Sequence, residues 1–287
     1  MSFSSQLRQL LTHPKILVIP GVYDCLGAKL AEQSGFEASA TSGFGIAAST
    51  LGVPDYGLLT ATEMLNSTGK IAKSVKIPLI ADLDTGYGNA LNVIRTVEEA
   101  VNLGISGIIL EDQEFPKKCG HFDDKRVIST SEHCSKIKAA IQARGESNLV
   151  IIARTDARAP LGLAEALARG RAYLDVGADV LFIEAPQSVT ELEAIAQAFP
   201  DVPLVANMIE GGKTPELTAS DLQQLGFKIV FFPLSGLLAA TKAINECWHY
   251  LKENGTTVGF EPIVDFQDFK SAIDLPKYRQ LEQDFRS

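Results

Sequence analysis

The chain has 287 residues, with 26 Lys and Arg against 35 Asp and Glu, a formal charge of −9. That balance argues against nucleic acid as a partner. With 46% hydrophobic and 21% charged residues, the composition is that of a globular protein with a sizeable core and excludes disordered, fibrous and collagen-like chains. Cys25, Cys119, Cys134 and Cys247 lie far apart with no CxxC pair, so neither a disulfide framework nor a structural zinc site is expected. The N-terminal stretch has no unbroken apolar h-region, and no run approaches the roughly 18 apolar residues of a membrane span. A cytoplasmic location, with no membrane partner, is the expectation.

Short apolar runs recur along the chain, each ending in polar or Gly/Pro residues and followed by a segment of helical period. They are Ile16 to Ile19, Ala38 to Ala40, Ile77 to Ala81, Gly107 to Leu110, Leu149 to Ala153, Val180 to Ile183, Leu204 to Ala206 and Ile229 to Phe232. Such unalternating runs suit parallel strands buried on both faces. Between them, Asn92 to Leu103, Ser131 to Arg144 and Leu163 to Val176 read as helices, closed by Gly104, Gly145 and Gly177, where a C′ residue belongs. This rhythm predicts an α/β chain forming one (β/α)8 TIM barrel over residues 1–287, with 255–287 as a C-terminal extension. The segments Ser42 to Leu59 and Glu114 to Ser129 are long βα loops on the face where such barrels carry their active sites. The apolar clusters of the polar tail, Val258 to Phe260, Ile263 to Phe266 and Phe269, suit packing on something, a neighbouring subunit being one candidate.

The residues closing the strands are unusually polar: Ser42, Asp82 and Asp84, Glu111 and Asp112, Arg154 and Asp156, Glu184, Asn207, and Ser235. Carboxylates from adjacent strands, with Asp55 from the first long loop, can converge on one hard cation, and Mg²⁺ fits best because it takes one or two carboxylates and keeps several waters. Any one of these acids also reads as a helix cap or turn former. The second long loop contains Lys117-Lys118-Cys119-Gly120-His121. Two lysines and a histidine beside one cysteine favour its thiolate, making Cys119 a candidate nucleophile or acid/base, with an incidental cysteine in a basic loop as the alternative. Cys25, Cys134 and Cys247 read as small core residues, and His13, His133 and His249 as surface or capping residues. Gly86-Tyr87-Gly88-Asn89 and Gly211-Gly212 lack phosphate-loop spacing and read as tight loops.

Asp82-Leu83-Asp84-Thr85-Gly86-Tyr87-Gly88-Asn89, Glu111-Asp112-Gln113 and the Lys117 to His121 element, extended by Ala153 to Asp156, Glu184-Ala185-Pro186 and Asn207 to Gly212, together resemble the isocitrate lyase/phosphoenolpyruvate mutase superfamily. The match runs from about Pro20 to Gly255. The resemblance implies a (β/α)8 barrel that binds Mg²⁺, with Mn²⁺ as a substitute, and a homotetramer that exchanges its eighth helix between paired subunits. The Lys-Cys-Gly-His element implies the carbon–carbon lyase branch, and the length implies its compact members: 2-methylisocitrate lyases, 2,3-dimethylmalate lyases, oxaloacetate hydrolases and the petal death protein.

Carried over residue by residue, the resemblance makes Asp82 the direct metal ligand, with Asp55, Asp84 and Glu111 holding its waters. Ser42, Gly43, Arg154, Asn207 and Ser235 would hold a pyruvate-like fragment, with Phe44, Asp84, Gly120 and Glu184 completing the substrate contacts. Cys119, Lys117, His121 and Arg154 form the catalytic set, with Tyr23 as a candidate base. Phe44 stands where methylisocitrate lyases have a second glycine after the Ser-Gly pair, which changes one pocket wall. The implied reaction is Mg²⁺-dependent retro-aldol cleavage of a small 2-hydroxy di- or tricarboxylate to an α-keto acid. Oxaloacetate hydrolysis, a phosphonate mutase activity and a catalytically silent carboxylate-binding barrel are the alternatives.

Overall fold

The computed structural model describes residues 2–286. The apolar runs become β1 (Leu17–Val22), β2 (Ser39–Thr41), β3 (Leu79–Asp82), β4 (Gly107–Glu111), β5 (Val150–Thr155), β6 (Val180–Ile183), β7 (Leu204–Asn207) and β8 (Ile229–Phe232). All pair in parallel with their sequence neighbours, and β8 returns to β1 to close the barrel. Ile19, Ile80, Ile109, Ile152, Val205, Ile229, Phe182 and Phe231 are buried together as its filling. The helix α1 (Phe3–Thr12) plugs the N-terminal end. Its Leu7 is fully buried among these interior side chains, and Arg8 clamps it to Asp179 at 3.0 Å.

The outer layer comprises α2 (Cys25–Gln33), α4 (Ala61–Ser74), α5 (Ala90–Asn102), α6 (Thr130–Arg144), α7 (Arg158–Leu161), α8 (Leu163–Asp175), α9 (Val189–Ala198) and α10 (Ala219–Leu225), with α3 (Gly43–Leu51) at the mouth. Side-chain oxygens of Asp24, Thr60, Asn89, Ser129, Ser188 and Thr218 cap the N-termini of six of these helices, satisfying backbone N–H groups that have no partner within the helix. Gly104 and Gly177 follow α5 and α8 with φ of +80° and +105°, the left-handed geometry a helix stop needs.

Three expectations are corrected here. The first long loop is not irregular throughout: Ser42 caps α3 by accepting from the Gly45 N–H, so much of the segment is helical. His133 is a core residue, fully buried against Tyr173; burial pushes its imidazole down to about 3, so it is neutral and packs as an aromatic. Cys25, Cys134 and Cys247 do lie in helices but are only half-buried.

The last helices are α11 (Ser235–Asn254), α12 (Phe266–Ala272) and α13 (Leu275–Asp284). None of them buries a residue, although Leu238, Ile244, Trp248 and Phe266 are large and apolar. Beside β1, α2 and the start of α11 runs an apolar groove of about 600 Å³, lined by Val18, Pro20, Leu26, Leu30, Phe36 and Phe232 among others.

Candidate active site

Strand register builds the site. Glu111 pairs with Arg154 across β4 and β5, and Asn207 with Phe231 across β7 and β8, so the polar strand ends face one another over the barrel filling. The cavity at this C-terminal mouth is lined by Ser42, Phe44, Asp55, Asp82, Lys117, Cys119, Gly120, His121, Arg154, Glu184, Asn207 and Ile209, above Ile19, Ile109, Phe182 and Phe231. Its free volume is about 60 Å³, room for roughly four to six waters at ~10–15 Å³ each. A small acid fits such a space, and a nucleotide does not.

Lys117 is buried among carboxylates, 2.8 Å from Asp55 and 2.7 Å from Asp84. Burial alone would lower its ammonium, but Asp84, Glu111, Asp55 and Asp82 raise it well above the ordinary lysine value, so it is a fixed cation. Asp84, held in the left-handed region at φ 50°, is pushed up to about 6 by burial despite Lys117. Asp82 lies beside it and accepts from the N–H groups of Gly43 and Asp84, each at 3.2 Å. Burial also raises Glu111, whose Oε1 finds no hydrogen-bond partner.

These donors fit a hard divalent cation. They are all oxygen, Asp82 borders the cavity, and Glu111 keeps a buried oxygen free for a donor such as metal-bound water. Among the described residues no three His, Cys, Asp or Glu side chains converge as a ready cage. Mg²⁺, which takes one or two carboxylates and retains much of its water, suits an oxygen set of this kind.

Arg154 is held by Asp156 through two hydrogen bonds, Nε to Oδ2 at 2.8 Å and Nη2 to Oδ1 at 3.1 Å, a fixed fork. It also lies 3.3 Å from Glu111 and 3.7 Å from Glu184, over the Phe182 ring. Asp156 is itself anchored by Lys125 at 2.7 Å. Burial would raise Glu184, but Arg154 and His121 outweigh it and keep the carboxyl below its usual range. Asp112 points away from the cavity. Fully buried, it accepts from Thr155, Tyr173, Arg169 and the Asp156 N–H at 2.7, 2.7, 3.0 and 2.8 Å. Asp112→Ala would leave Arg169 without this partner in the interior, and a loss of about 3–5 kcal/mol in denaturant unfolding is expected; a loss under 1 kcal/mol would contradict this bracing role.

The second long loop is docked onto the barrel at several points. Gln113 holds Lys118 by two hydrogen bonds, 2.8 and 3.0 Å, and the Cys119 N–H donates to the Asp55 carbonyl at 3.1 Å. Lys125 donates to the Gly120 carbonyl. His121 Nδ1 accepts from the Lys213 N–H at 2.9 Å, and its Nε2 lies 2.9 Å from the Glu184 carboxylate. Phe122 packs on Phe44 and Tyr56 at 6.3 and 5.6 Å between centroids.

The thiolate expectation for Cys119 is overturned. Burial pushes the thiol up to about 11, with Asp55 and Glu184 adding to the rise and only the His121 backbone and Arg154 opposing it. The neighbouring cations do not serve the sulfur: Lys117 is taken by carboxylates, and Lys118 reaches the Asp124 carbonyl at 3.4 Å. At neutral pH Cys119 is a protonated thiol at the cavity wall.

The cavity thus brings together Asp82, Asp55, Lys117, Cys119, Gly120, His121, Arg154, Glu184, Asn207, Ser42 and Phe44, with Gly43, Asp84 and Glu111 in contact behind them. Two candidates fall outside it. Tyr23 lines the apolar groove, because the chain turns after β1 into α2, capped by Asp24, and its hydroxyl is raised further by burial and Asp24. Ser235 opens α11 and donates outward to Glu210, leaving Pro233 and Leu234 at the mouth. Lys125 and the bracing role of Asp112 were not anticipated; only the strand-end position of Asp112 marked it.

The profile of the family described as phosphoenolpyruvate phosphomutase matches residues 7–251. The chain belongs to the phosphoenolpyruvate mutase/isocitrate lyase superfamily. Among curated members of the superfamily, it is 43% identical to 2,3-dimethylmalate lyase of Eubacterium barkeri, covering 99% of each chain. It is 42% identical to the chloroplastic carboxyvinyl-carboxyphosphonate phosphorylmutase of Arabidopsis thaliana over 97% of this chain and 83% of the other. It is 39% identical to 2-methylisocitrate lyase of Bacillus subtilis over 97% and 91%. Among solved superfamily structures, a 2,3-dimethylmalate lyase superposes with TM-score 0.95 at 35% identity, covering 100% and 96% of the two chains. An oxaloacetate acetylhydrolase bound to 3,3-difluorooxalacetate gives 0.94 at 36%, covering 98% and 96%. A phosphonopyruvate hydrolase complexed with oxalate and Mg²⁺ gives 0.90 at 32%, covering 100% of both.

Proposed function

We propose that this enzyme cleaves a carbon–carbon bond of a small 2-hydroxy acid of the 2,3-dimethylmalate, 2-methylmalate or 2-methylisocitrate type, releasing an α-keto acid such as pyruvate. The observation that carries this reading is that the protonated Cys119 thiol, Arg154 and the Asp82 carboxylate line one small cavity. Asp82, with Asp55, Asp84 and Glu111 around its waters, would hold Mg²⁺, or Mn²⁺ in its place, and the ion would supply Lewis-acid polarisation of the oxygen that becomes the keto group. Arg154, Asn207, Ser42 and the Gly43 backbone hold the keto-acid half, and the Arg154 guanidinium stabilises charge gathering on that oxygen. As the bond breaks, its electron pair passes to the carbon next to the departing carboxylate. Cys119 gives that carbon its S–H proton, and the proton lost from the substrate's hydroxyl returns through solvent to the thiolate sulfur, which restores the S–H. Glu184 and His121 orient the loop, while Phe44 and Phe122 exclude water.

Pyruvate release, coupled to a reporter enzyme across these three acids with Mg²⁺ present, tests the reading. Chelator is expected to abolish release and added Mg²⁺ to restore it; turnover surviving exhaustive chelation would overturn the metal assignment. The likeness to oxaloacetate acetylhydrolase supports a second reading, which oxalate formation from oxaloacetate without pyruvate from any hydroxy acid would favour. The assembly we propose is a homotetramer in which α11 and the tail pass to a paired subunit. The unburied α11 and the 600 Å³ apolar groove beside β1 support it. Residues 1–287 then act as one barrel domain extended by 255–287. A cytoplasmic location accords with the fact that no described helix is long and apolar enough to cross a membrane.

A further inference from the structure

Resting on the lyase reading, we propose that the substrate is an alkyl-bearing diacid and not a tricarboxylate, and that Phe44, Ile209 and Leu234 set this preference. Three separate elements deliver these side chains to the cavity wall: α3, the turn after β7, and the turn after β8. They line the same cavity as Cys119 and Asp82, so the part of the substrate not held by the metal-side groups lies against carbon.

The cationic side chains of the cavity are already committed. Lys117 is matched by Asp55 and Asp84 at 2.8 and 2.7 Å. Arg154 is forked onto Asp156 and flanked by Glu111 and Glu184. His121 accepts the Lys213 N–H on one ring nitrogen and sets the other 2.9 Å from the Glu184 carboxylate, and the Asn207 amide donates to Glu184 at 3.2 Å. One substrate carboxylate would be met on the metal side and a second beside Cys119, Gly120 and Asn207, all of which line the cavity. A third would lose its water against Phe44, Ile209 and Leu234 with no free cation to replace it, whereas a methyl group gains by leaving water there.

Two measurements test this. The first is kcat/KM for 2,3-dimethylmalate and 2-methylisocitrate, by pyruvate release at saturating Mg²⁺, for the wild type, Ile209→Ser and Ile209→Arg. The diacid is expected to be preferred by at least about tenfold, the scale of discrimination a pocket wall provides, with Ile209→Arg narrowing or reversing the ratio and Ile209→Ser moving it less. Equal or better use of the triacid by the wild type, or an unchanged ratio in Ile209→Arg, overturns the assignment. The second measurement needs no turnover: calorimetric binding of 2-methylsuccinate and of tricarballylate to the Mg²⁺-loaded protein. Tighter binding of methylsuccinate supports the proposal and tighter binding of tricarballylate overturns it. No pyruvate from either acid would defeat the lyase reading alone, since the binding comparison still reads the wall.

Discussion

Cys119→Ser is expected to lower kcat by about 10²–10⁴-fold, the usual contribution of a positioned acid, while Mg²⁺ and pyruvate binding stay near wild type. The serine keeps the shape of the side chain and its place on the loop, but its hydroxyl is a far weaker acid than the thiol. Turnover close to wild type would remove Cys119 from the mechanism. The pH dependence gives an independent check. The thiol is pushed up to about 11 by burial, and a proton donor works only while it carries its proton. The limb due to Cys119 is therefore flat through neutral pH and falls as pH rises toward 11. A free thiol would begin to fail near its ordinary value of about 8.5. Thiolate absorbance, taken as the difference between wild type and Cys119→Ser, reads the same ionisation directly, and a transition below pH 8 would refute the protonated-donor assignment.

The second large effect is expected from a single methyl group. At Gly120, a Cβ would stand 2.6 Å from Glu184 Cγ and 2.7 Å from its Oε1, with an Arg154 nitrogen closer still. None of these can retreat, because Glu184 is tied to His121 and Asn207 and Arg154 to Asp156. Gly120→Ala thus holds the loop off the barrel and takes Cys119 with it. A fall of roughly 10²-fold or more in kcat/KM is expected, since a displacement of about 1 Å in a reacting group costs that much. The melting temperature should change little, because the loop lies outside the hydrophobic core. Faster proteolysis between residues 114 and 129 would report the undocked loop, whereas wild-type kcat/KM would show that the close approach is not needed.

The barrel was legible because each strand is an unbroken apolar run ended by a polar residue, and only the parallel, doubly buried environment demands that pattern. Their boundaries moved by a residue or two, as where β4 extends to Glu111 and β7 to Asn207. The strand-end acids were legible for the same reason, since the strand direction dictates which face they meet. Side-chain pairing was not. The basic residues around Cys119 suggested a thiolate, yet Lys117 turns to Asp55 and Asp84 and burial governs the sulfur. Tyr23 and Ser235 sit at strand ends in sequence, but the chain has already bent into α2 and α11 there. His133 lacks any ligand spacing, and nothing local says that its neighbours bury it.

The plug formed by α1 makes the barrel a vessel with one opening. With Leu7 sealed among the interior side chains and Arg8 locked to Asp179, nothing enters or leaves from below. Under the lyase reading, two product molecules therefore share one exit, and the fragment nearer the mouth stands in the path of the one beneath it. Departure becomes a queue, and the order of release is set by the depth at which each half of the substrate was held.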